Sequence, residues 1–119
     1  MNKALKSEHE KLSANHQKLI DATIESIAQR GLGDTTIAHV SSLAGVSQGY
    51  AHFRFKSKEN LLISSLQFLS NEYMDSWNKI FDNKKLTPID QLINIIENDF
   101  HPRIASRKKI AVWFSFYSE

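Results

Sequence analysis

The sequence predicts an all-α protein, and three observations predict it. Only four Gly and two Pro interrupt 119 residues. Runs of β-branched residues in strict alternation are missing, and apolar side chains recur at spacings of three and four over long stretches. The first helix is carried by Leu12, Leu19, Ile20, Thr23, Ile24, Ile27 and Ala28, a stripe that faces a core, and it stops at Gly31 and Gly33. Thr35 is placed to cap a second helix, Thr36 to Ala44, whose Ile37, Val40 and Leu43 repeat every three residues and are expected to face inward. Gly45 ends it. Ser47 is the expected cap of a third helix that runs through about Phe53, after a turn of roughly three residues.

Ser57 then caps a fourth helix, which begins at Lys58 and continues through Leu61, Leu62, Ser65, Leu66, Leu69, Tyr73 and Trp77. At roughly 23 residues it is the longest element expected. The polar stretch from Phe81 to Leu86 connects it to a fifth helix. There Thr87-Pro88-Ile89-Asp90 supplies a cap, a Pro at the first helical position and an acid at the third, and the helix runs to about Asn98. A sixth helix resumes at about Ser106. Its Ile110, Val112, Trp113, Phe114, Phe116 and Tyr117 point all round and need burial on every side, so the sequence is expected to be part of a longer protein.

Composition narrows the function classes. With 41% hydrophobic and 24% charged residues the chain has the balance of a soluble globular protein. Without cysteine, disulfide scaffolds, thiolate metal sites and cysteine nucleophiles are excluded, and a cytoplasmic location is the default expectation. No apolar run approaches the roughly 18 residues of a membrane span, and the start turns acidic at Glu8 and Glu10 where a signal peptide would turn apolar. Catalysis finds no foothold, because a Gly-rich phosphate loop, a Gly-x-Ser-x-Gly elbow and paired acids in an apolar setting are all missing. We therefore expect no enzyme, no cofactor and no metal. His9-Glu10 begins like a zinc-protease motif, yet Ser13 stands where the second ligand is needed, and His9, His16 and His101 read as isolated surface histidines.

A net charge of +2 is too small to argue for nucleic acid by itself, so the placement of the charges decides. Between Thr35 and Lys58 there is no acidic residue, while Arg54, Lys56 and Lys58 cluster at the end with His39 and His52 nearby. A helix-turn-helix needs a small residue where its helices cross, a Gly in the turn and apolar residues locking the pair. Ser41, Gly45, and Val40 with Val46 meet those needs. Such a pair presents Ser47 to Tyr50 where they can enter a major groove. Gln48 can bond an adenine edge through two atoms, Tyr50 can touch a thymine methyl or a phosphate, and Gly49 lets the backbone come close.

Three stretches, Thr35-Thr36-Ile37-Ala38, Ala44-Gly45-Val46-Ser47-Gln48-Gly49 and Phe55-Lys56-Ser57-Lys58-Glu59-Asn60-Leu61-Leu62, stand together at a spacing that resembles the TetR family of bacterial transcriptional repressors over residues 16 to 62. The resemblance implies that Gln48, Gly49 and Tyr50 face bases while Thr36, His52 and Lys58 face phosphate. The helix starting at Lys58 also aims its N–H groups at the backbone. With the basic cluster, the expected DNA-contacting set is Thr36, Ser47, Gln48, Gly49, Tyr50, His52, Arg54, Lys56 and Lys58. Two departures stand out: His52 occupies a position commonly Tyr in the family, and Asn15 and His16 stand where an Arg often precedes the first helix. Lys3, Lys6 and Lys11 are partial substitutes for that Arg.

A narrower resemblance lies further on. Asn98-Asp99-Phe100 and Ala111 to Tyr117 look like the matching stretch of the choline-responsive repressors of betaine synthesis, as does Ser47-Gln48-Gly49. Aromatic faces attract quaternary ammonium ions at about 0.5 to 2 kcal/mol each. Trp77, Trp113, Phe114, Phe116 and Tyr117 are thus expected as a ligand-lining set, against the competing reading that they fill a core. The resemblance implies a DNA-binding domain at 1–60 and an incomplete ligand-binding and dimerisation domain at 61–119. It also implies a small-molecule effector, a near-palindromic double-stranded operator and a homodimer in the full-length protein, whose main dimer helices it places beyond Glu119. The rival class is a helical protein-interaction module with an exposed aromatic end and only sequence-blind DNA affinity.

Overall fold

The apolar stripe of the first helix is the surface on which the other elements assemble. The computed structural model describes residues 2–118, which form six helices and, among the described residues, no strand. They are α1 (Asn2–Arg30), α2 (Ile37–Ala44), α3 (Gln48–Phe55), α4 (Lys58–Phe81), α5 (Pro88–Asp99) and α6 (Arg107–Ser118). The all-α expectation holds, and each predicted helix is present. Leu19, Ile20, Thr23, Ile24 and Ile27 are buried along one face of α1, which packs on α2, α4 and α6. The same helix extends back to Asn2 with an exposed surface; Leu12, expected on the stripe, is 45% exposed, although Tyr50 of α3 reaches its carbonyl.

The α1–α2 connection differs in detail from the sequence reading. Thr36, not Thr35, caps α2: its hydroxyl accepts the His39 N–H at 3.1 Å. Thr35 is fully buried instead, with its hydroxyl 3.0 Å from that of Ser26 and donating to the Gly31 carbonyl at 2.8 Å. A hydroxyl committed to those partners is not free to bend back over the first turn of a helix. Leu43 also departs from expectation, at 46% exposed while Val40 is buried. A repeat of three advances 300° around a helix of 3.6 residues per turn, so each step drifts about 60° and the third member leaves the buried face.

Helix α3 runs to Phe55 rather than Phe53, since Ala51 and Phe55, one turn apart, are both buried and hold its last turn to the core. Lys56 then stops it at φ +71, with the Ser57 N–H donating to the Phe55 carbonyl at 2.9 Å in a γ-turn. That turn delivers Ser57 to cap α4 by accepting the Asn60 N–H at 3.1 Å. Leu61, Ser65 and Leu69 form the buried face of α4. Helix α5 carries the anticipated cap, Thr87 and Asp90 bonding each other's backbone N–H, but none of its residues is buried. It is tied to α4 by the Tyr73 hydroxyl donating to Asp99 at 3.1 Å and the Asn98 amide donating to Ser76 at 2.9 Å. Helix α6 buries Val112 and packs on α1, with Lys108 2.6 Å from Glu25. Its Lys109 bonds Glu72 of α4 and the Arg103 carbonyl.

His16 is not the surface residue the sequence suggested. Its ring stacks on Phe55 with centroids 5.0 Å apart and planes at 26°, and its Nδ1 is buried without a partner. Burial first, and then the Arg54 guanidinium, hold its pKa below the ordinary 6.5. A depressed histidine contributes stability that is fully present above the unfolded value and is lost as pH falls from 6.5 toward the folded value. The urea midpoint is therefore expected to drop on going from pH about 7.5 to about 5.5, and His16→Gln to flatten that drop. An unchanged slope in the variant means that other groups cause the drop. In the same assay Thr35→Val leaves the buried Ser26 hydroxyl unpaired and should cost about 1–3 kcal/mol, with Thr35→Ser much milder.

Candidate nucleic-acid interface

Two short helices joined by a left-handed residue set the geometry of this face. Gly45 sits at φ +66, ψ +32, and its N–H and that of Val46 turn back onto the end of α2, Val46 donating to the Ser41 carbonyl at 3.0 Å. Only glycine adopts this backbone without a Cβ penalty. Ser41, buried at 2%, supplies the small side chain expected near the crossing, and Val46 packs against the core beside Val40. Ser47 begins α3 by accepting the Tyr50 N–H at 3.1 Å. With Ala51 and Phe55 turned inward, Gln48, Gly49, His52, Phe53 and Arg54 are left exposed.

The residues expected to touch DNA fall into four groups. Gln48, Gly49 and His52 are exposed on α3, with no hydrogen bond from the Gln48 or His52 side chain to another described residue. Thr36 and Ser47 are exposed, but their hydroxyls already cap helices. Tyr50 and Lys58 are half-buried and engaged. The Tyr50 hydroxyl donates to the Leu12 carbonyl of α1 at 3.0 Å, and the Lys58 ammonium donates to the Gly33 carbonyl at 3.0 Å. Both side chains thereby tie this face to the segments around it. Arg54 lies 5.4 Å from the Phe55 ring centroid and Lys56 lies 4.7 Å from that of Phe53, so the basic rim is partly held by cation–π contact.

Phe53 is the residue the sequence reading passed over. It is 71% exposed on α3 beside His52. The signal was available, since a residue two positions from each of the inward pair Ala51 and Phe55 lies about 200° round the helix from both.

The five aromatic residues expected to line a ligand site are not gathered into one enclosure. Trp77 is flanked on α4 by Tyr73 and Phe81, with centroids 5.6 and 5.9 Å away, and its indole N–H is buried without a partner. Trp113, Phe114 and Tyr117 share an open apolar groove of about 320 Å³ with Ile110, while Phe116 packs on the core. A larger cleft of about 610 Å³ lies between α4 and the α5–α6 connection, and its lining includes Glu72, Asp75, Lys79, Asn98, His101 and Arg103. Nothing in the periodicity of α4 announces that cleft, because its polar lining reads as an ordinary solvated face. Burial and the Asp99 carboxylate push the nearby Tyr73 phenol up.

Residues 19–64 match the family model described as bacterial regulatory proteins, tetR family. Over 101 residues the chain is 34% identical to the HTH-type transcriptional regulator BetI of Brucella anthropi, covering 85% of this chain and 52% of that protein. Against the regulator of the same name from Escherichia coli O17:K52:H18 the identity is 28% over 107 residues, 89% of this chain and 55% of the relative. The fold is shared with a Pseudomonas aeruginosa PAO1 protein solved as a candidate transcriptional regulator. The TM-score is 0.77 at 18% identity, over 87% of this chain and 50% of that one. The chain thus spans about half the length of the curated relatives it matches. Residues 19–64, which resemble the tetR family of bacterial regulatory proteins in sequence, are thus the stretch that contains the α2–Gly45–α3 geometry.

Proposed function

We propose that the chain carries the operator-reading part of a transcriptional repressor whose grip on DNA is released by a small molecule. The observation that carries the reading is the outer face of α3. Its exposed Gln48 side chain is unoccupied, Gly49 leaves room for close approach, and the helix is seated by Ala51 and Phe55 with no acidic side chain from Thr35 to Lys58. In this reading α3 enters the major groove, Gln48 bonds base edges, and Thr36, His52, Arg54, Lys56 and Lys58 meet phosphates beside the first turn of α4. Tyr50 holds α1 and α3 together through Leu12 while its ring borders the bases. The division is 1–60 for DNA reading and 61–119 for part of an effector and dimerisation unit, with a homodimer of the whole protein on a near-palindromic site.

Helix α4 spans both parts and is the proposed lever. An effector that binds more tightly to the arrangement with misplaced reading helices weakens DNA binding by that difference in affinity. Choline or a related quaternary ammonium compound is the effector we test first. The aromatic residues of α6 and Trp77 of α4 supply the chemistry it needs, and relatives 28–34% identical carry the BetI name. The exposed apolar side chains of α5 and α6 favour a second reading, a helical protein-interaction module.

Fluorescence anisotropy on DNA from upstream of the protein's own gene, beside a scrambled duplex, separates the readings. Repressor function predicts preference for the first duplex and its loss on adding choline; preference that choline leaves intact retains the repressor and removes that effector. Equal binding to both duplexes selects the interaction module. Gln48→Ala is expected to relax sequence preference at a cost of about 1–3 kcal/mol, and Lys58→Ala to weaken all duplexes evenly while lowering the salt slope by about one.

A further inference from the structure

A second polar cleft, of about 330 Å³, lies where α1, α3 and α4 meet; it adjoins the α4–α5 cleft through Phe68 and Asn71 and the exposed face of α3 through Arg54. Its polar lining consists of His16 and Gln17 from α1, Arg54 from α3, and Ser64, Gln67 and Asn71 from α4. The inventory is unbalanced. Arg54 is a permanent cation, His16 is a potential one, and the other four side chains are neutral groups able to donate or accept hydrogen bonds. No carboxylate lines the cleft. The nearest along α1, Asp21, is exposed and accepts the Gln17 amide at 2.9 Å without entering the lining. The imidazole is fixed by its stack on Phe55, and it has no acid against it from α3 or α4.

We infer that this cleft is a site for a small oxyanion, a phosphate or carboxylate group, held by Arg54 and His16 with the amides and hydroxyl of α4 as further donors. A cation is excluded by Arg54, and an apolar ligand finds few surfaces to cover. An oxyanion supplies the negative charge that both basic groups lack, and guanidinium is the side chain best shaped to receive it. Binding is also coupled to a proton. With the cleft empty, burial and Arg54 disfavour the charged form of His16. An anion between the two removes that repulsion and favours the imidazolium, so affinity rises as pH falls through the range below 6.5, by at most about tenfold per unit. The charged groups facing His16 are Arg54 alone from α3 and none from α4.

The test follows the His16 ring protons by NMR while inorganic phosphate is added to the protein, with chloride at equal ionic strength as the blank. Saturable shifts in the millimolar range, a His16 pKa that moves up with phosphate, and tighter binding of acetate, whose charge is constant over this range, at pH about 6 than at pH about 7.5 are expected. Arg54→Ala is expected to raise the His16 pKa without phosphate and to abolish the phosphate response. His16→Gln, followed through backbone amide shifts of α1 and α4 with acetate as the anion, is expected to keep weaker binding that no longer depends on pH between about 6 and about 7.5. Acetate in a parallel titration tells a carboxylate from a phosphate preference. Duplex DNA without phosphate tells a backbone phosphate, which reproduces the His16 shift, from a free anion, which does not require it. Absence of a saturable response to phosphate and acetate, or a response unchanged in Arg54→Ala, overturns the site.

Discussion

Burial of one α1 face, Leu19 through Ile27, is the constraint on which the rest of the molecule depends. That face receives α2, α4 and α6, so the orientation of the reading helix is set at one remove. Val40 seats α2, the Gly45 turn fixes α3 relative to α2, and Ala51 and Phe55 close α3 back on the core. Burying a large aliphatic or aromatic side chain stabilises by about 1.5–3 kcal/mol, far more than a single exposed polar contact. Exposed residues such as Gln48 and His52 thus sit on a scaffold that their own chemistry does not hold together. Their substitution can alter recognition while leaving the fold intact.

Polar contacts then refine what apolar burial positions only coarsely. The Ser26–Thr35–Gly31 chain closes the α1–α2 connection with both hydroxyl-bearing residues buried. The Tyr50 and Lys58 bonds to Leu12 and Gly33 brace the reading face from two sides. A half-buried donor whose acceptor belongs to its own chain is partly committed before any ligand arrives. Tyr50 and Lys58 consequently differ in kind from Gln48, whose side chain is still free to choose a partner. A base or phosphate contact by either braced residue has to exchange an existing bond, and the net gain is smaller than the contact alone suggests.

Where caps and glycines decided the outcome, the sequence was readable. Ser47, Ser57 and Thr87-Pro88 placed three helix starts correctly, because a short side chain bonding back to the third N–H is a local event. The helix-turn-helix was equally legible from Gly45 and its apolar neighbours. Non-local facts were less so. Thr35 and Thr36 are chemically equal in the sequence, and only the proximity of Ser26 determines which is buried and which caps. His16 read as a surface residue because its partner, Phe55, is 39 positions away. Tyr50 and Lys58 likewise reveal their internal bonds only after the chain has folded. The aromatic residues of α4 and α6 were identified as a group, but residue type alone does not make them converge.

The two ends of α4 are built on different physics. Its first half is packed through Leu61, Ser65 and Leu69 and starts from a cap tied to the end of α3 by a γ-turn. Its second half meets α5 largely through Tyr73–Asp99 and Ser76–Asn98, and meets α6 through the Glu72–Lys109 ion pair. An amphipathic helix of 12 residues with no buried side chain, as α5 is, draws little stability from propensity alone. Ile89, Leu92, Ile93 and Ile96 are 48–71% exposed, so fewer apolar contacts hold α5 than hold α2 or α3. A displacement of α5 or α6 reaches α4 through hydrogen bonds and ion pairs of modest strength. A displacement of α4 reaches α3 through the buried Leu61 end and a turn of two residues. Movement of α5, which unlike α6 buries no side chain in the α1 core, can therefore reach α3 along α4 while the α1–α2–α3 core stays packed.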